Sequence, residues 1–343
     1  MRNALAATAM LCLGLCLGTT AGLQGQDGPY HAGPTIPIGG EGGWDYLSID
    51  AAAHRLYVSH ATHVVVVDTQ TNKVVGDIPD TPGVHGVAIA ADLGRGFVSN
   101  GRENKSSIFD LKTLKLIQKV DTGENPDWIL YEPSHKEVYT MNGRGKSATV
   151  FDATSGKVLA NIPLEGKPET AQADAKAGKI YVNMEDLNSV KVIDMATHKV
   201  TATWPAAPCE SASGMAFDVA SHRLFLGCDN KLMVMMDSTD GKVVYSVPIG
   251  EGVDANSFDP GTKLAFASNG GAGTVSIAHE DSPSVLKIVQ TLKTVRGART
   301  MTLDPTTHRI YLAATDYEPQ APGSKDRPKA VANSFRVLVY QMK

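Results

Sequence analysis

The sequence predicts an all-β protein, a seven-bladed β-propeller of four-stranded blades whose last blade is closed by the N-terminal strand. Three observations carry this expectation. An aromatic residue recurs in RLYVSH, RGFVSN, EVYTMN, KIYVNM, RLFLGC, LAFASN and RIYLAA, at Tyr57, Phe97, Tyr139, Tyr181, Phe225, Phe266 and Tyr311, with spacings of 40, 42, 42, 44, 41 and 45 residues. A second column, Asp68, Asp110, Asp152, Asp194 and Asp237, closes short apolar runs at spacings of 42, 42, 42 and 43. A fixed period of this length is the signature of a repeat array or a propeller. The third observation lies inside each repeat, where runs of four to seven residues rich in Val, Ile, Leu and Tyr alternate with Asp/Gly/Asn/Pro turns. That pattern describes strands, four to a unit, as in WDYLSID, RLYVSH, VVVVDT and KVVGDIP.

Taken from the N-terminus, residues 1–21 read as a signal peptide. Arg2 precedes an apolar run from Ala4 to Leu17, and small residues follow at Thr19 and Ala21. The run is shorter than the ~20 residues of a spanning helix. Neither Cys12 nor Cys16 follows the small residue of a lipoprotein signal. The expected product is therefore exported, periplasmic or secreted, without a membrane span. Residues 28–343 then form one propeller domain, since no linker interrupts the repeat, and the chain is expected to be a monomer.

His31 to Gly40 resembles a fourth strand such as KVVYSVPIG, whereas the seventh unit has ARTMTLD, HRIYLAA and FRVLVYQM but no fourth strand of its own. The N-terminal strand is expected to supply it, so that no sheet interface stays open between first and last blades. Loss of Arg2 leaves 31 Lys plus Arg against 36 Asp plus Glu, a net charge of −5. That sign argues against nucleic-acid binding, which depends on neutralising phosphates. Cys209 and Cys228 are the two cysteines remaining after processing. They lie in the loop entering blade five and at the end of its second strand, and are expected to form a disulfide. The closed loop is short, so the chain-entropy contribution is on the order of 3 kcal/mol.

Loops that join successive blades, and those that join second to third strands, emerge on one face, here called upper. Five residues back from the end of each first strand stand Asp45, His85, Asp127, Glu169, Ser213, Asp254 and Arg299. All seven are polar, while positions further along the strands, such as Leu47, Val87, Ile129, Met215 and Met301, are apolar. The column predicts a polar ring at one mouth of the central channel. Carboxylates crowded there raise one another's pKa unless a cation intervenes. Arg299 and His85 can supply that cation, or a divalent metal can sit on some of Asp45, His85, Asp127, Glu169 and Asp254. A wet channel mouth lined with polar side chains has the same residues without any function.

The surrounding loops are asymmetric. SNGRENKS and MNGRGKSA put Arg102 with Lys105 and Arg144 with Lys146 on neighbouring blades, and NMEDLNS and GCDN bring Glu185, Asp186 and Asp229 to the next two. A face basic on one side and acidic on the other can orient a small polar or zwitterionic ligand, or a protein partner. The insertion ATDYEPQAPGSKDRPKAVANS in blade seven belongs to the same face and has the length of a lid or binding loop. His54, His222 and His308 recur in turns of the opposite face. There is no nucleophile elbow, HExxH, CxxC or phosphate-binding glycine loop.

FVSN, YVNM and FASN, with turns such as DATSGK and DSTDGK, resemble the YVTN repeat of the YncE-like β-propeller family over residues 30–343. The resemblance implies a propeller of an exported or surface protein, in which the aromatic and Val pack between blades and Asn with the following Gly makes the turn. Similar propellers include lactonases, lyases and haem-d1-binding domains, so the tetrapeptide implies no catalytic residue. Three functional classes follow. The first is a binding or interaction propeller using its upper face. The second is a metal-dependent, lactonase-like hydrolase or lyase in which the carboxylate ring holds a cation and His85 or Arg299 handles protons or an oxyanion. The third binds a haem- or quinone-type cofactor through His60, His63 or His85.

Overall fold

The computed structural model describes residues 28–319 and 328–343. The expected signal peptide at 1–21 and the centre of the blade-seven insertion lie outside them.

Seven antiparallel four-stranded sheets surround a central channel. Blade one pairs Trp44–Asp50, Arg55–His60, His63–Asp68 and Lys73–Ile78 in chain order. Blades two to six repeat that order over residues 84–121, 126–163, 168–205, 212–248 and 253–293. Blade seven is built from Met301–Asp304, Arg309–Ala314, Arg336–Met342 and, outermost, Tyr30–Pro37 from the N-terminal end. Closure therefore occurs as the missing strand requires, with Tyr30 opposite Met342 and Pro37 opposite Arg336. The closing strand is also pinned sideways. Tyr30 stacks edge-on to Phe266 of blade six at 5.3 Å, and its backbone exchanges two hydrogen bonds with the Gln290 side chain, at 2.9 and 2.8 Å. The first strand of blade seven is shorter than ARTMTLD suggests, for Ala298 to Thr300 stand outside it.

The repeat columns now have physical roles. All seven aromatics are buried, none more than 1% exposed, and they reach the next blade, as in Tyr57 to Phe109 (5.9 Å) and Phe225 to Phe258 (5.1 Å). This contact is how one apolar sheet face is covered by its neighbour. The Asp column caps the lower turns. Oδ1 of Asp68, Asp110, Asp152 and Asp194 accepts the N–H three residues on, at 2.7, 2.7, 2.6 and 2.9 Å, and Asp237 that of Thr239 at 2.8 Å. These hydrogen bonds hold the four carboxyls and that of Asp237 below the usual carboxylate range.

One expectation for the tetrapeptide is corrected. The Asn–Gly pair does not make the turn, because the left-handed residues of the second-to-third-strand turns are Asn104, Lys146 and Gly273. Instead the Asn amide is buried and donates to the third strand, Asn100 to Ser107, Asn142 to Thr149 and Asn269 to Ser276, at 2.7, 3.0 and 3.0 Å. A buried amide needs such partners, and the hairpin is held from inside. The opposite-face histidines are structural too. His54, His222 and His308 have positive φ, and His308 Nδ1 lies 2.6 Å from Asp259 Oδ2.

Candidate functional site at the upper channel mouth

In blades one to five the register between first and second strands shifts at one place, between Trp44 and Leu47, Val84 and Val87, Pro126 and Ile129, Pro168 and Ala171, and Ala212 and Met215. Blade six has a shorter shift between Val253 and Ala255. Each shift contains the ring residue. A bulge leaves a residue unpaired and re-aims its side chain, so the ring residues leave the sheet for the channel. The third residue of the tetrapeptide braces these bulges. Ser99 Oγ accepts the Gly86 N–H at 2.9 Å and donates to the Asp127 carbonyl of the next blade at 2.6 Å. Asn183 bonds the Ser213 carbonyl at 3.2 Å, Ser268 bonds that of Arg299, and Ser59 accepts the Asp45 N–H at 2.8 Å. A sequence signature read as architectural thus also positions the ring.

All seven ring positions line one cavity of about 950 Å³, with Glu185, Asp186, Asp229, Arg144 and Lys146 at its rim. A second cavity of about 640 Å³ adjoins it and shares Asp45, His85, Asn125, Arg144 and Arg299. Arg102, Trp44 and the roots of the blade-seven insertion, Tyr317, Pro328 and Ala330, also line it. The acidic loop residues Glu185, Asp186 and Asp229 thus face the first cavity, Arg102 faces the second, and Arg144 lines both. Lys105 and Lys146 contribute less free charge than expected, since they pair with Asp121 and Asp186. Arg102 and Arg144 are exposed and in no ion pair among the described residues.

Beneath the ring, Tyr46 meets Trp128 edge-on at 4.8 Å. Tyr46 lines both the upper cavity and a lower one of about 350 Å³, and so forms the floor between them. Gly86, Gly214 and Ala255 occupy the corresponding position in three other blades, so the two aromatics are the large side chains at this height.

The ring is a network of ion pairs. His85 Nδ1 is 2.6 Å from Asp45 Oδ2 and 3.4 Å from Asp127 Oδ1. Arg299 Nε is 2.6 Å from Asp254 Oδ2, and its Nη2 is 3.8 Å from Asp45 Oδ1. Lys167 Nζ lies 2.5 Å from Glu169 and also bonds Glu185. Burial pulls the His85 imidazolium down, but the Asp45 hydrogen bond and the charges of Asp127 and Asp45 outweigh it and push the pKa up to about 9. Burial raises the Asp127, Glu169 and Asp254 carboxyls, and neighbouring carboxylates add to the rise. For Asp254 the result is about 7 despite Arg299 beside it. Cations are too few here for every acid to ionise freely.

Of the five residues expected as metal ligands, Asp45, His85 and Asp127 bring their ligating atoms within 4.8 Å of one another. Glu169 and Asp254 do not join them, because Lys167 and Arg299 hold those carboxylates at their own blades. The three histidines considered for a cofactor lie in different surroundings. His60 is 1% exposed, stacked on Phe335 at 4.5 Å with His63 edge-on at 4.9 Å, so neither ring nitrogen opens to a ligand. His63 lies 3.7 Å from Asp77, and His85 is held in the ring. Cys209 and Cys228 are bonded, with Cα atoms 5.3 Å apart, and fasten the blade-five wall that carries Ser213.

Four contributors escape the column count. Lys167 stands two residues before Glu169, where the other blades carry Gly43, Gly83, Asn125, Ser211, Gly252 and Gly297, so its charge marked it. Tyr46 was marked by its bulk, one residue after Asp45. Gly101 and Gly270 have no such signal. A Cβ at Gly101 would meet His85 Nε2 at 2.6 Å and one at Gly270 would meet Arg299 Cβ at 2.6 Å, so their bare backbones make space for two ring side chains.

No protein-family model matches the chain, and no curated protein is similar to it. Solved structures match over nearly the whole ring. The WD40 repeats of RRP9 superpose with a TM-score of 0.77 at 9% identity, covering 90% of this chain and 97% of that one. U3-55K gives 0.75 at 10%, with coverages of 89% and 97%. Hydrazine synthase of Kuenenia stuttgartiensis gives 0.69 at 16%, with 86% and 95%. At these identities the likeness establishes the fold, a seven-bladed propeller, and nothing of chemistry. Among the described residues no helix is long and apolar enough to cross a membrane.

Proposed function

We propose that the chain is an exported, monomeric binding propeller of the YncE-like YVTN-repeat type, processed after residue 21 and folded as one domain over 28–343. It receives a small polar ligand, or a polar segment of a protein partner, at the upper mouth of its channel. The carrying observation is the cavity of about 950 Å³ onto which all seven ring positions converge, floored by Tyr46 and adjoined by a basic chamber. Concave sites with a few convergent polar groups are where ligands bind. The Cys209 to Cys228 bridge favours an oxidising compartment. The approach of Asp45, His85 and Asp127 keeps metal-assisted hydrolysis or elimination as the alternative. Binding is preferred because Glu169 and Asp254, two of the five residues expected to hold the metal, are instead paired with Lys167 and Arg299.

The test is a thermal-shift screen of polar metabolites pooled by charge class, run on wild type and Arg299→Gln. A pool that raises Tm in wild type and loses that effect in the variant supports the proposal. No stabilising pool, or stabilisation identical in both proteins, refutes it.

A further inference from the structure

The ring holds more acidic than basic groups in direct contact. Five carboxyls, those of Asp45, Asp127, Glu169, Asp254 and Glu185, share three bases, His85, Lys167 and Arg299, an excess of 5 − 3 = 2 acids that burial partly meets by pushing Glu169 up to about 9 and Asp254 to about 7. The shortfall falls on Asp127, whose one ion-pair contact is a His85 nitrogen 3.4 Å away that sits closer to Asp45. A second observation points into the same space. The Tyr46 side chain, 3% exposed, lines the upper cavity, and its hydroxyl makes no hydrogen bond among the described residues. A phenol under four carboxyls, facing the cavity, offers one donor and one acceptor on the floor of an acidic cup.

Across the shared wall the charge reverses. Arg102 and Arg144 reach into the second chamber from blades two and three, Arg299 bounds it from blade seven, and Trp44 and Tyr317 are aromatic walls. Guanidinium groups of this kind, free of carboxylates in two of three cases, suit a carboxylate or phosphate.

We infer that the upper mouth binds a zwitterionic ligand, its primary ammonium seated over Tyr46 beside Asp127 and its anionic group under Arg102 and Arg144. The inference rests on the binding function proposed above and names its ligand class. An ammonium is favoured over a divalent ion by geometry. Among the described residues the one trio close enough to share an ion is Asp45, His85 and Asp127, in which His85 Nδ1 already bonds Asp45, and Arg299 stands 3.8 Å from that same Asp45. An ammonium has three donors and needs no displacement of His85, since Asp127 can accept one bond and Tyr46 another.

Three probes of matched length separate the possibilities, 6-aminohexanoate, hexylamine and hexanoate, titrated calorimetrically into the mature protein near neutral pH, with magnesium chloride as the metal probe. The expected result is binding of 6-aminohexanoate that is at least about tenfold tighter than hexanoate and weakens about tenfold in Asp127→Asn, a change of about 1.4 kcal/mol. Tyr46→Phe, which keeps the floor and removes only the hydroxyl, is the second variant and weakens hexylamine and 6-aminohexanoate alike. Hexanoate binding as tightly as 6-aminohexanoate overturns the ammonium seat while leaving the binding function standing. Magnesium binding that Asp127→Asn abolishes, with no response to either amine, overturns it in favour of a metal site. Silence toward every probe at roughly 100 mM, far above ordinary affinities, overturns the inference. If the metabolite screen is silent too, the binding function falls with it.

Discussion

Replacing Arg299 by Gln tests the electrostatics of the ring most directly. The guanidinium donates to Asp254 at 2.6 Å and lies 3.8 Å from Asp45. Two unit charges about 4 Å apart attract by about 4 kcal/mol at the effective dielectric of a protein surface. The Arg299 side chain is 47% exposed, and water screens roughly half of that, leaving a loss of about 2 kcal/mol, between the values for surface and buried pairs. The loss depends on pH in a defined direction. Asp254 titrates near 7 in the folded protein, raised by burial, so well below that pH it holds a proton and has little charge to lose a partner for. A carboxyl whose folded pKa is raised destabilises the native state progressively as pH climbs from the unfolded value toward the folded one. Removing Arg299 raises that pKa further. The variant should therefore melt close to wild type at about pH 5 and roughly 3 °C lower at about pH 8.5, using ~2.1 cal/mol/K per residue for the unfolding entropy. Calorimetric scans of both proteins at both pH values decide it. An equal loss at the two pH values, or a variant more stable at the higher one, would refute the picture of a proton-holding Asp254 tied to Arg299.

Two further outcomes follow from packing and chain connectivity. Cys209→Ala with Cys228→Ala should lose about 3 kcal/mol, the chain-entropy value for a bridge spanning 19 residues, and reductant should lower the wild-type Tm but not that of the variant. Gly270→Ala should lose about 1–3 kcal/mol by overpacking, since its Cβ would lie 2.6 Å from Arg299 Cβ and 3.0 Å from its Cα, whereas Gly43→Ala, with nothing within 4 Å, should be near neutral. Equal denaturation midpoints for the two alanine variants would contradict the close approach.

The ring was legible in the sequence because blades repeat by rotation about one axis. A position counted from the end of each first strand maps to the same height in every blade, and Asp45, His85, Asp127, Glu169, Ser213, Asp254 and Arg299 do share one cavity. The same counting found the closing strand and the Cys209 to Cys228 pair, whose partners lie in a neighbouring strand or loop. It failed for contacts that depend on reach and angle. His60 lies buried under Phe335, a residue nearly the whole chain away, and no local pattern signals that stacking. Lys167 pairs with both Glu169 and Glu185 because two loops of blade four meet above the sheet.

By itself, then, the sequence determined the number of blades, the strand order, the closure and the height of the ring, all consequences of periodicity and of short-range turn chemistry. The tertiary structure alone decided which acid meets which base, that bulges turn the ring inward, and that Tyr46 and Trp128 close the channel beneath it. The physical reason is that periodicity specifies a residue's place along a strand and around the axis, whereas pairing depends on side-chain length, burial and the charges arriving from blades far apart in sequence.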